Sequence, residues 1–223
     1  ISATLNGESL DVDAYNTTLS ASGETGENGL LLPSLAAHNT IDIDAWCHYS
    51  TTGEGLHRAV DAADGTVYLY SQCEPADSKR VFACFDQPDL KAPIDLTVTA
   101  PAGWEIISNS SIATSTPAES PIYADVDAVT HHFQVTNPLC PYVFALCAGP
   151  YHRWSDTYHW HGDDGREITI PLNLYCRETL APYFDPDNIF ALTKGGFDYY
   201  HRTFGILYPL SLIHISEPTR PLY

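Results

Sequence analysis

Thr66-Val67-Tyr68-Leu69-Tyr70-Ser71-Gln72-Cys73-Glu74 sets the fold class. Val67, Leu69 and Cys73 fall on one side of this run, and Tyr68, Tyr70, Gln72 and Glu74 on the other. A period of two is the signature of a β-strand with one buried face. Ala63-Asp64-Gly65 supplies a turn before it, and Pro75 closes it. The same alternation recurs outward along the chain. Ile94, Leu96, Val98 and Ala100 alternate with Asp95, Thr97 and Thr99. Val129, His131, Phe133 and Val135 alternate with Thr130, His132 and Gln134, and Ile168, Ile170, Leu172 and Leu174 with Thr169, Pro171 and Asn173. Pro101-Ala102-Gly103, Thr116-Pro117 and Asp163-Asp164-Gly165 punctuate these segments. Ile1-Ser2-Ala3-Thr4-Leu5 reads as a further strand, followed by an Asn6-Gly7 hairpin turn. Ser108–Ser120, rich in Ser and Thr, reads as an exposed loop. The expected class is therefore mainly β, antiparallel up to about residue 175.

The period then changes. Asp185 is placed to cap a helix, with Pro186 in its first position and Asp187 in its first turn. Phe190, Thr193, Phe197, Tyr200 and Phe204 follow at three- and four-residue spacing, which predicts one buried helical face ending at Gly205. Gly195-Gly196 within that helix costs about 1 kcal/mol per glycine, so close packing is expected there.

The chain has 223 residues, enough for a core, with 10 Lys+Arg against 28 Asp+Glu and a formal net charge of −18. That balance excludes phosphate-neutralising nucleic-acid binding and docking on anionic membranes; it suits solubility. The longest stretch without Asp, Glu, Lys or Arg, Ala128–His152, holds three prolines and two adjacent histidines and is no spanning helix. The six cysteines (Cys47, Cys73, Cys84, Cys140, Cys147, Cys176) form no C-x-x-C pair. They read as buried reduced thiols, which points to the cytoplasm. Asn16-Thr17-Thr18 and Asn109-Ser110-Ser111 match a short glycosylation pattern that carries little weight. Methionine is absent and residue 1 is Ile, so the chain is read as part of a longer product that opens inside a sheet.

Two groupings bear on chemistry. His159 and His161 would share one strand face, with Asp163 and Asp164 nearby: either half of a metal site or a solvated aromatic hairpin, the second being preferred. His131 and His132 point to opposite faces. The chain has no H-E-x-x-H, G-x-S-x-G or phosphate loop. Gln72 and Glu74 lie two apart at a strand end. An amide oxygen and a carboxylate projecting together suit an ammonium group, and they equally suit an ordinary polar sheet face.

The blocks Gly53-Glu54-Gly55-Leu56-His57-Arg58, Asp64 through Asp77, and Arg80-Val81-Phe82-Ala83-Cys84-Phe85-Asp86-Gln87-Pro88-Asp89-Leu90-Lys91-Ala92 resemble the N-terminal domain of the aminopeptidase N family, zinc metallopeptidases of the gluzincin type. The likeness, nearest to the actinobacterial branch, continues through Trp104–Asn109, Tyr142–Tyr151, Phe184–Phe190 and Phe204–Pro209. It implies a β-rich saddle-like domain over 1–165 that lacks its first strands, and the opening strand and helix of an α/β catalytic domain over 166–209. It also implies a Gln-x-Glu element, here Gln72-Cys73-Glu74, whose glutamate holds the substrate's α-ammonium and whose glutamine lines the first side-chain pocket.

The family's G-A-M-E-N and H-E-x-x-H motifs would follow Pro209 and are not found here. The resemblance therefore implies zinc in the full-length parent and none bound by this chain, no catalytic residue within it, and peptides as the partners of the parent. Residues 210–223 depart from the family and are similar to a translated sequencing-library adapter, so they are read as an artefactual tail. The alternative function is a non-enzymatic β module that binds amines or a protein partner.

Overall fold

The computed structural model describes residues 2–12, 32, 34–120, 125–162 and 165–208, together with the backbone of Leu212–Ile215. Ile1, Asn16-Thr17-Thr18, Asp163, Asp164, Pro209 and the rest of the 210–223 tail lie outside the described residues. The described chain is mostly antiparallel β with one helix. In order the elements are β1 (Ser2–Leu5), β2 (Glu8–Ser9), β3 (Ile41–Asp44), β4 (Gly55–Val60), β5 (Val67–Gln72), β6 (Thr97–Pro101), β7 (Glu105–Ser108), β8 (Ile112–Glu119), β9 (Asp127–Phe133), β10 (Leu146–Gly149), β11 (Tyr151–His161), β12 (Glu167–Arg177), α1 (Pro186–Phe204) and β13 (Leu212–Ile215). The sheets run β2-β1-β3, β4-β5-β10-β7, β6-β9-β8 and β11-β12-β13, and only β12–β13 pairs parallel.

The β1–β2 turn forms as its residues require. Asn6 and Gly7 both take positive φ, 55° and 85°, the pair of angles a two-residue hairpin needs to match strand twist. Asp185 caps α1 by accepting from the Asn188 N–H, and Gly205 ends it in the left-handed region at φ 65°.

The β4-β5-β10-β7 sheet is the middle layer and is covered on both faces. Leu69, Ile106 and Ala148 pack with Ala100 and Phe133 of the β6-β9-β8 sheet. On the other face Tyr68, Ile107 and Cys147 pack with Tyr151 and Tyr175 of the β11–β12 ribbon. The ribbon's opposite face carries Tyr158, Ile170, Leu172 and Leu174 against Phe190 of α1. The expectation of one buried face for β5 is thus corrected: Tyr68 is as buried as Leu69, because aromatic and aliphatic residues on alternate positions serve two different layers. Gly149 lets these layers meet, since a Cβ there would stand 2.9 Å from the Tyr68 ring.

Further expectations change. Ser108–Ser120 is not a loop, because Ile112–Glu119 forms β8, an edge strand exposed nearly throughout and held by its ladder to β9. Such a strand leaves no apolar alternation to read. The buried stripe of α1 runs through Phe190, Phe197 and His201, while Tyr200 and Phe204 are 57% and 64% exposed. A Cβ built at Gly195 or Gly196 meets nothing within 4 Å, so no described residue packs closely there. Of the six thiols, Cys73, Cys147 and Cys176 are buried, Cys84 and Cys140 are half-buried, and Cys47 is exposed. Asn109 is committed to the backbone, donating to the Val143 carbonyl and accepting from the Ala145 N–H. The boundary expected at residue 165 falls in the turn of the β11–β12 hairpin, whose strands pair from Tyr151↔Arg177 to His161↔Glu167. Leu212–Ile215, within the segment read as an artefactual tail, lies alongside Leu172–Tyr175.

Candidate functional site

The end of β5 is where the middle layer runs out of cover. Tyr68 is sealed under the ribbon, Tyr70 is half-buried, and Gln72 and Glu74 reach solvent, with Cys73 buried between them on the opposite side. β5 ends at Gln72, and Glu74 stands in the turn that follows it. Gln72 pairs in register with Gly55 of β4, and its Nε2 lies 3.5 Å from the Glu74 carbonyl. One step back, Tyr70 pairs with His57, their rings 4.8 Å apart. His57 Nδ1 accepts from the Gly53 N–H at 2.9 Å, which leaves its proton on Nε2.

The neighbouring carboxylates are spoken for. Arg80, in a 3-10 turn over Ser78–Arg80, sits 2.6 Å from Asp77 and 3.4 Å from Glu54. Its side chain crosses directly over Gly55, where a Cβ would come within 2.8 Å of Arg80 Cβ and where φ is +66°. Among the described residues the Glu74 carboxylate has no ion-pair or hydrogen-bond partner, so it is the acid at this strand end that remains open to a cation. Burial pushes the Cys73 thiol up, and the Cys84 thiol, through burial and then Asp86, up to about 11. Neither thiol supplies a nucleophile at neutral pH.

His159 and His161 do not come together on a ligand. His159 Nδ1 meets Thr169 Oγ1 at 3.1 Å and His161 Nδ1 meets Glu167 Oε1 at 2.9 Å, each spent on its own cross-strand neighbour. Among the described residues no group of three or more His, Cys, Asp or Glu is arranged to hold a metal ion. The residues described therefore do not fit a zinc site, and no step is routed through one. No helix among the described residues is long and apolar enough to cross a membrane.

A second polar cluster, missed in the sequence, ties the middle sheet to the segment after the ribbon. Asp61, buried just after β4, accepts from Thr179 Oγ1 at 2.5 Å and from the Ala63 N–H at 2.9 Å, with Arg177 Nη1 at 3.7 Å. Tyr68 Oη accepts from the Glu178 N–H at 3.1 Å beside it. The Thr179 hydroxyl first, then the Ala63 N–H, hold the Asp61 carboxyl below its ordinary range against the opposing effect of burial. A lowered native value means this carboxylate stabilises the fold above about pH 4, and that the contribution disappears as pH falls through the native value. The urea midpoint of Asp61→Asn should therefore lie below wild type at neutral pH, and the gap should close on acidification. A gap independent of pH would contradict this assignment. No periodicity announces Asp61, because its partner lies 118 residues away.

The comparisons with known proteins turn on the segment that holds this strand end. A family model described as the peptidase M1 N-terminal domain matches residues 32–143, which include Gln72, Glu74, Asp77 and Arg80. The chain belongs to the peptidase M1 N-terminal domain family. Aminopeptidase N of Streptomyces lividans is 40% identical over 207 residues, covering 92% of this chain and 21% of that protein. Probable aminopeptidase 1 of Sulfurisphaera tokodaii is 28% identical over 156 residues, covering 69% of this chain and 17% of that protein. A crystal structure of Legionella pneumophila aminopeptidase A in complex with aspartic acid superposes with a TM-score of 0.71 at 22% identity, covering 96% of this chain and 23% of that one, and shares the fold. This M1 N-terminal domain chain thus spans about a fifth of the length of these relatives.

Proposed function

We propose that this chain supplies the N-terminal β domain, residues 1–165, and the opening of the catalytic domain, residues 166–209, of a zinc-dependent aminopeptidase acting on peptides in the cytoplasm. The zinc and the groups that perform hydrolysis belong to the remainder of the parent protein. The role of this chain is recognition. The Glu74 carboxylate receives the α-ammonium of the substrate, and Gln72 adds an amide oxygen and lines the pocket of the first side chain. The observation that carries this reading is the exposed Gln72–Glu74 strand end, where Arg80 pairs with Glu54 and Asp77 and leaves Glu74 available. Its placement inside the family-matched segment supports it further.

A carboxylate that pairs with an ammonium distinguishes a free amino terminus from a blocked one. The gene-length protein should release aniline from amino-acid anilides and turn over their N-acetyl derivatives at least about 30-fold less efficiently, the lower end expected when one member of a charged hydrogen bond is removed. Removing metal with a chelator should abolish turnover, and zinc should restore it. Equal turnover of free and acetylated substrates would remove the ammonium-binding role.

A further inference from the structure

On the buried side of α1 lies a histidine that the proposed chemistry does not use. His201 is 3% exposed and packed against Tyr158 and Trp160 of β11 and Phe197 of its own helix. Its Nε2 accepts from the backbone N–H of Tyr208 at 3.2 Å. Its Nδ1 stands 3.3 Å from Tyr158 Oη, and Tyr158 Oη donates to Asp198 Oδ1 at 2.8 Å. An amide N–H only donates, so Nε2 must be bare. The one proton of the neutral ring then sits on Nδ1 and is given to Tyr158 Oη. Donors and acceptors match along the whole path, from the Tyr208 amide through imidazole and phenol to the carboxylate. Burial, and then the hydrogen bond to Asp198, push the Tyr158 hydroxyl above the ordinary tyrosine range, so it keeps the proton it donates.

We propose that His201 is a protonation-sensitive latch, which ties the segment following α1 to β11 when the ring is neutral and releases it when the ring is charged. A proton on Nε2 turns an acceptor into a donor facing the Tyr208 N–H, and two donors cannot share a bond. The charged and titratable groups around the ring are Tyr158 from β11, Tyr208 from the segment itself, and from α1 Asp198, which accepts from Tyr158, and Arg202, whose Nε donates to the Asp198 backbone carbonyl. Arg166, from the β11–β12 turn, reaches the Gly205 carbonyl at 3.4 Å. The cap of α1 does not depend on the ring, because the Gly205 N–H bonds to the His201 backbone carbonyl at 3.0 Å. In the charged state the Tyr208 ring, with its centroid 5.3 Å from that of Phe197, remains as the local hold. The chain beyond Tyr208 leads toward the catalytic residues of the proposed aminopeptidase. That consequence rests on the proposed function; the latch and its test do not.

The test is amide exchange on this chain, read by NMR as protection factors at the Tyr208 and Gly205 N–H groups over a series from about pH 8 to about pH 5. Tyr208 protection should fall by about tenfold on acidification, the worth of one hydrogen bond, while Gly205 holds steady. In His201→Gln, whose amide oxygen accepts without titrating, Tyr208 protection should be independent of pH. A flat wild-type profile, an equal fall in His201→Gln, or a parallel fall at Gly205 would each overturn the latch. Should the variant not fold, the imidazole nitrogen shifts of the wild type decide. A neutral ring protonated on Nδ1 supports the proposal, and one protonated on Nε2 overturns it.

Discussion

Glu74→Ala in the gene-length aminopeptidase is expected to lower kcat/KM by about 30-fold to a few thousand-fold, corresponding to about 2–5 kcal/mol for removing one partner of a charged hydrogen bond in a partly desolvated site. The range is wide because Glu74 is exposed here and its value depends on how much water the bound substrate displaces. Metal content should be unchanged, since no described residue near Glu74 belongs to a metal-holding group. Stability should change by less than about 0.5 kcal/mol, as for other exposed positions that hold no partner. Glu74→Gln keeps the shape and a hydrogen-bonding oxygen but loses the charge, so it should recover little of the loss. Gln72→Ala should act more mildly and alter the preference for the first side chain. Steady-state kinetics on a set of amino-acid anilides measures all three. Near wild-type kcat/KM in Glu74→Ala would return the pair to an ordinary polar strand end.

The second large effect is on folding. Phe133→Ala should destabilise the chain by about 3–5 kcal/mol, a substantial part of the stability of a domain this size. Phe133 is 1% exposed and stands between the β6-β9-β8 sheet and the middle layer, in contact with the group formed by Leu69, Ala100, Ile106 and Ala148. Those neighbours sit on four other strands and cannot collapse into the space together. Val135→Ala, two residues on and equal in the sequence pattern, should change stability by less than about 0.5 kcal/mol. Val135 lies beyond the end of β9 and is 58% exposed. Urea unfolding of the two variants beside wild type gives the comparison, and similar midpoints for both would contradict this placement of the core.

Phe133 and Val135 also mark how far the pattern of residues could be read. Alternation identified β5, β6, β9 and β12, because a strand exposes every second residue to the same surroundings. It could not say where a strand stops being covered, since Phe133 and Val135 differ in what lies opposite and not in their own period. The helix is a parallel case. Asp185, Pro186 and Gly205 announce its two ends through local hydrogen bonding and backbone angles, and both ends stand as read. The buried stripe was assigned to Tyr200 and Phe204 by hydrophobicity, whereas His201 occupies it because Tyr158 and the Tyr208 amide satisfy both ring nitrogens.

What the sequence determined by itself is whatever depends on near neighbours: the β class, the Asn6-Gly7 turn and the caps of α1, joined by a resemblance long enough to name the family. Tertiary structure alone decided that β5 is buried on both faces and that Ile112–Glu119 pairs as an edge strand. It also decided that Arg80 takes up Glu54 and Asp77 but leaves Glu74, and that Asp61 meets Thr179 across 118 residues. The physical reason is the same in each instance. Backbone geometry and capping are set within a few residues, while burial and the pairing of polar groups are set by segments far apart in the chain that only the packed fold brings into contact.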